Sequence, residues 1–106
     1  MATYSVTKSA HKTLTSTTVD TVNLMGAWDG VEVSNRGTVA IYVAWNGVTV
    51  TSAGDNTDIV EAGVTKLFSP APRMAGDGPG DNTTAAHSLQ IIGNGNAYSV
   101  TGVAGR

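Results

Sequence analysis

Apolar and polar residues alternate most densely between Val31 and Val50. Val31 and Val33 alternate with Glu32 and Ser34, the period of two that marks a strand with one buried face. Asn35-Arg36-Gly37 follows with residues that tolerate positive φ, so a reversal is expected there. Val39, Ile41, Val43 and Trp45 then recur at two-residue spacing and predict a central strand with that face in the core. Its other face, Ala40, Tyr42 and Ala44, is mostly small and suited to lie against a neighbouring subunit. Asn46-Gly47 has the chemistry of a type I′ hairpin turn, in which both central residues take φ > 0. Val48 and Val50 are expected to begin the returning strand. The stretch therefore predicts three successive strands joined by two tight turns.

The remaining elements are shorter. Residues 1–13, with Tyr4 and Val6 as their main large apolar groups, read as an extended N-terminal arm or an edge strand. Leu14 to Leu24 is a Thr-rich strand region, and Trp28-Asp29-Gly30 makes a turn. Ile59-Val60 and Val64 to Phe68 are short strand candidates, ended by Pro70 and Pro72, which cannot donate to a ladder. Residues 73–86 form the longest irregular stretch, and a loop of that length ordinarily has a function. Leu89 and Ile91, a reversal at Gly93-Asn94-Gly95-Asn96, and Tyr98 to Val103 predict a second hairpin. Seven or eight short antiparallel strands separated by turn residues, with no helical period, make the chain all-β: a compact sandwich or barrel over 14–106 behind the arm at 1–13.

Composition supports this and adds one thing. Thr, Val and Ile make up nearly a third of the chain, which favours strand over helix. Charged residues are only 13%, about half the usual share for a globular domain. A surface of Thr, Ser, Gly and Asn suits a protein that lives in an assembly, where each charge at a contact would have to be desolvated. Six basic residues scattered along a chain of net charge −2 lack the clustered footprint of a nucleic-acid binder. There is no cysteine for a disulfide or thiolate metal site. No run approaches the ~20 apolar residues of a spanning helix, and no secretory signal pattern opens the chain, so neither membrane nor export is expected.

Candidate chemistry is sparse. Asp77-Gly78-Pro79-Gly80-Asp81-Asn82 could offer oxygens to calcium, but it lacks the ligand spacing and bidentate Glu of an EF-hand, and such residues ordinarily serve turn geometry. His11 and His87 have no second ligand at metal spacing and read as surface residues. No G-x-S-x-G elbow is present, and nothing sets any pair of carboxylates apart for glycoside hydrolysis. The expectation is no enzyme, no cofactor and no metal. Trp28, beside a turn, is the candidate to stack on a sugar. Trp45 reads as core or subunit interface.

The succession V-E-V-S-N-R-G, V-A-I-Y-V-A-W-N-G, I-V-E-A-G and L-Q-I-I-G-N-G-N-A-Y-S-V-T-G-V, spanning roughly residues 19–103, resembles small virion proteins of tailed bacteriophages. The resemblance implies a jelly-roll-like β-sandwich and a structural role as a capsid decoration (cement) protein. Such a protein would be made in the host cytoplasm and sit on the capsid surface. Its partners would be further copies of itself, as a homotrimer, and the major capsid protein. The alternatives are a tail or fibre module binding host-surface carbohydrate, with Trp28 as its stacking group, and a head–tail or tail component. The arm and the 73–86 loop are the expected contacts, with Tyr4, Val6, Arg73 and Met74 as anchors.

Overall fold

The structure, a computed structural model, describes residues 2–26, 28–52, 54, 57–72 and 85–104, with the side chains of 85 and 86 excepted. Nine strands are described: β1 (Ala2–Val6), β2 (Ser9–Thr13), β3 (Asp20–Met25), β4 (Gly30–Asn35), β5 (Ile41–Trp45), β6 (Asp58–Val60), β7 (Thr65–Phe68), β8 (Ala85–Ile92) and β9 (Ala97–Val103). They form a five-stranded sheet, β1-β3-β8-β5-β6, and a four-stranded sheet, β2-β9-β4-β7. The two sheets share one core, so the chain is an all-β single-domain sandwich.

Leaving β1 aside, the antiparallel pairs are nested: β5 with β6, β4 with β7, β3 with β8, and β2 with β9. The chain is one long double ribbon with its tip at the β5–β6 connection. Ladders β5–β8 and β4–β9 join the turns of the wound ribbon into two four-stranded sheets. That is the jelly-roll order. Strand β1 widens the first sheet by pairing in parallel with β3, the one departure from the expected antiparallel pairing.

Alternation makes the core. In β3, Val22 and Leu24 face inward while Thr21 and Asn23 face out, and β9 alternates likewise around Tyr98 and Val100. Val31 and Val33 of β4 meet Ile41 and Val43 of β5 in the same buried cluster. Each such side chain contributes about 1.5–3 kcal/mol by leaving water.

The ribbon winding corrects several expectations. Strands β4 and β5 lie in different sheets, so residues 36–40 cross between layers and close no hairpin. Positive φ is not what the Asn35-Arg36-Gly37 crossing requires; none of the three adopts it. Gly37 is needed because a Cβ there would stand 2.4 Å from Asn96 Nδ2. Val39 precedes β5 and is 44% exposed, outside the core face it was expected to share. Asn46 and Gly47 do take φ of 54° and 87°, with Val48 N–H donating to the Trp45 carbonyl at 3.1 Å. No returning strand follows at Val48–Val50, because β8 and β6 already occupy both edges of β5. The chain instead passes over the outward face, where the Val50 N–H donates to Gln90 Oε1 at 3.1 Å. Ala44, cross-strand from Gln90 on that face, is fully buried, so this part of the small face is covered by the chain itself. The reversal at 93–96 likewise links β8 to β9 in the opposite sheet. Residues 14–18 form no strand, although Leu14 is buried. Of the two readings of residues 1–13, arm or edge strand, the described part takes the second, with β1 at the edge of one sheet and β2 at the edge of the other.

Candidate functional site

One end of the sandwich is tied by two buried asparagines. Asn35 Nδ2 donates to the carbonyls of Val39 and Val60, at 2.8 and 2.9 Å. Its Oδ1 accepts from Gly37 N–H at 3.0 Å and from Asn96 Nδ2 at 2.8 Å. Asn96 also donates to Val39 O at 2.7 Å and accepts from Asn94 N–H at 2.9 Å. The Asn35 backbone bonds Val64 O and Gly63 N–H, at 2.9 and 3.0 Å. This network pins the β4–β5 crossing, the β6–β7 link and the β8–β9 turn to one another. A buried amide satisfied on every side fixes its surroundings firmly.

That knot presents a corner. Strands β6 and β7 end their respective sheets on the same lateral side, joined by residues 61–64. Val39 and Val64 are 44% and 43% exposed between strands on this side, while Ile59 and Leu67, 41% and 49% exposed, point away from the core on the outer faces of β6 and β7, one on each sheet. Val39 and Val64 stand at the knot itself, since both carbonyls bond Asn35. Arg36 and Glu61 are exposed at the same place, one residue beyond Asn35 and one beyond Val60. Among the described residues, the remaining large apolar side chain exposed to this degree is Val48, at the turn after β5.

On the opposite lateral side the outer strands are β1 and β2. Tyr4 and Val6 of β1 are half-buried and pack against the chain's own core, so each offers a partner only its remaining exposed part. The Lys12 ammonium stands 4.4 Å from the centroid of the Tyr4 ring. Arg73, Met74 and the acidic loop at 77–82 lie outside the described residues.

At the other end, His87 is fully buried, contrary to its reading as a surface residue. Its Nε2 accepts from Trp28 N–H at 2.9 Å, and its Nδ1 donates to Pro72 O at 2.7 Å. Two backbone partners of opposite type fix a neutral imidazole with the proton on Nδ1. Trp28 is held as well. Its indole N–H donates to Thr7 O at 3.2 Å, and its ring covers Gly102, where a Cβ would stand 2.4 Å from Cδ2. One face of the proposed sugar-stacking ring is therefore spent on β9.

The outward face of the four-stranded sheet carries His11 Nδ1 2.8 Å from Ser99 Oγ. A nucleophile and base also need a group to orient the imidazole and donors for an oxyanion. The neighbours in that row are the hydroxyls of Ser34 and Thr65, bonded to each other. On the other sheet, Tyr42, Gly54, Thr57 and Ile59 line an open depression of about 270 Å³. Among the described residues, no group of three or more His, Cys, Asp or Glu could hold a metal ion, and no helix is long and apolar enough to cross a membrane.

The corner was not legible beforehand. Asn35 and Asn96 have the residue type of turns, and Val39 sits in phase with a core strand. The one available hint was Val64, an apolar residue set apart from its neighbours by Gly63 and Thr65. No family model, curated protein or solved structure matches this chain.

Proposed function

We propose that this chain is a non-enzymatic structural protein of a bacteriophage virion. In this reading it is a decoration protein that binds the outer surface of the head as a homotrimer and stabilises the shell through contacts with the major capsid protein. The observation that carries the reading is the pair of exposed apolar side chains, Val39 and Val64, held beside the Asn35 knot at one corner of a sparsely charged sandwich. A contact of that kind gains about 25 cal/mol per Å² of apolar area before ordering costs. Repetition by symmetry lets many modest contacts act together. Jelly rolls recur in viral capsid and lectin domains. A fold does not fix a function, so the weight rests on the surface and on the sequence resemblance.

Electron cryomicroscopy of virions from the phage that encodes the chain tests this. Density of the sandwich on the outside of the head is the expected result. Density on the tail or fibres would replace decoration with a tail role, and absence from the virion would overturn both.

A further inference from the structure

The apolar corner has a self-complementary makeup. Val39 and Val64 supply exposed apolar surface beside a backbone that the two asparagines hold rigid. Arg36 and Glu61, one base and one acid, are exposed next to them. When two copies bring this corner together around a symmetry axis, the apolar groups of each meet, and Arg36 of one copy faces Glu61 of the next. A surface that carries both members of a charge pair can satisfy itself in this way.

Strand pairing at the lateral edges is a poorer route to association. In the four-stranded sheet, Lys12 of β2 and Lys66 of β7 pair with the inward-facing residues Tyr98 and Val33. Both lysines therefore occupy inward positions on edge strands, an arrangement that resists the addition of another strand. Arg36, Val39, Glu61 and Val64 all lie between strands, so a contact through them needs no strand pairing.

We infer that the corner formed by Arg36, Val39, Glu61 and Val64 is the surface through which copies of this chain bind one another. This rests on the reading of the protein as a self-assembling structural subunit, and it names the contact. The ordered backbone lowers the entropy lost on association, because the loops need not be arranged at the moment of binding.

The test is sedimentation equilibrium of the full chain and its variants over a wide concentration range. The wild type should self-associate. Val64→Asp should raise the dissociation constant roughly tenfold or more, whereas Val48→Asp, exposed elsewhere, should leave it unchanged. Circular dichroism and the thermal midpoint confirm that each variant is folded. Arg36→Glu and Glu61→Arg should each weaken association, and the double reversal should recover it, since the pair is restored across the contact. Association indifferent to Val64→Asp, or a double reversal no better than either single one, would overturn the corner contact and leave the assembly reading standing. A wild type that stays monomeric throughout would overturn self-association itself, while the location of the protein in virions would still decide decoration.

Discussion

Tyr98 donates its phenolic hydrogen to Asp20 Oδ2 across the two sheets at 2.8 Å, with neither side chain reaching solvent. Tyr98 belongs to β9 and Asp20 opens β3, so the bond joins opposite layers of the sandwich. A buried carboxylate oxygen needs a donor, and a buried phenol needs an acceptor. Each supplies what the other lacks.

Removing the hydroxyl should therefore cost more than one ordinary hydrogen bond. Tyr98→Phe keeps the ring in the core and leaves a buried carboxylate oxygen without its donor, for a loss of about 1–3 kcal/mol. Urea unfolding would read it as a lower midpoint at unchanged slope. A loss confined to a few tenths of a kcal/mol would mean that another donor replaces the phenol.

The burial of the same phenol makes stability fall in alkali. Burial foremost, then the hydrogen bond to Asp20, then the charges of Asp20 and Tyr4 hold the phenol above its ordinary pKa of 10.0. The unfolded chain releases this proton near pH 10 and the folded chain retains it. The contribution is thus complete below about pH 10 and declines above it by about 1.4 kcal/mol per pH unit. Tyrosinate absorbance of the folded wild type should track that of folded Tyr98→Phe, with the extra group appearing only on unfolding. An extra titration in the folded wild type would contradict the burial.

At the Asn35 knot, truncation should be felt in three segments together. Asn35→Ala withdraws the donor to Val60 O and the acceptor of Gly37 N–H and Asn96 Nδ2. A loss of about 2–4 kcal/mol is expected. Gly37→Ala should cost about 1–3 kcal/mol by overpacking, because the Asn96 amide it would strike is held on both ends. Amide exchange would show faster opening around 36–40, 61–64 and 93–96 in both variants. Opening restricted to one segment would show that the three are not coupled.

Part of this architecture is legible in the sequence and part is not, for a physical reason. Alternation at Val31 and Val33 or at Val22 and Leu24 says which face of a strand is buried. It does not say which sheet the strand joins, because both sheets bury a face in the same core. Turn chemistry has the same limit. Asn46-Gly47 and Gly95 take the positive φ values that reversals need, yet one leads into a covering segment and the other across to the facing sheet. His87 looked like a surface residue among Ala and Ser. Its burial depends on Trp28, 59 residues away, and Pro72, 15 away, whose backbone groups it satisfies.

The Trp28 and His87 contacts should fail together. Gly102→Ala places a methyl group inside the indole ring, so Trp28 must leave β9 and give up its bond to Thr7. Its fluorescence should shift to the red as it enters water. His87→Ala strips the partners from Trp28 N–H and Pro72 O and opens a cavity, for a loss of about 2–4 kcal/mol. Red-shifted Trp28 emission is expected there too, read in a Trp45→Phe background so that one indole reports. An unchanged spectrum in Gly102→Ala would mean that β9 yields and the ring stays.

The edges of the four-stranded sheet give the last prediction. Lys12 on β2 and Lys66 on β7 occupy inward positions at opposite edges, with their ammonium groups over the rings of Tyr4 and Phe68. Such a placement keeps part of the cation–π attraction, yet it forbids a further strand, whose arrival would seal the charge away from water. Lys12→Val and Lys66→Val together should preserve or slightly raise the unfolding midpoint, since apolar groups suit those positions. The variant should nevertheless form β-rich aggregates with bound thioflavin at concentrations where the wild type stays clear. Substituting Val64→Asp as well should not prevent that aggregation, because strand addition and corner contact use different surfaces. A double variant as clear as the wild type would show that the short length of β7 is sufficient protection by itself.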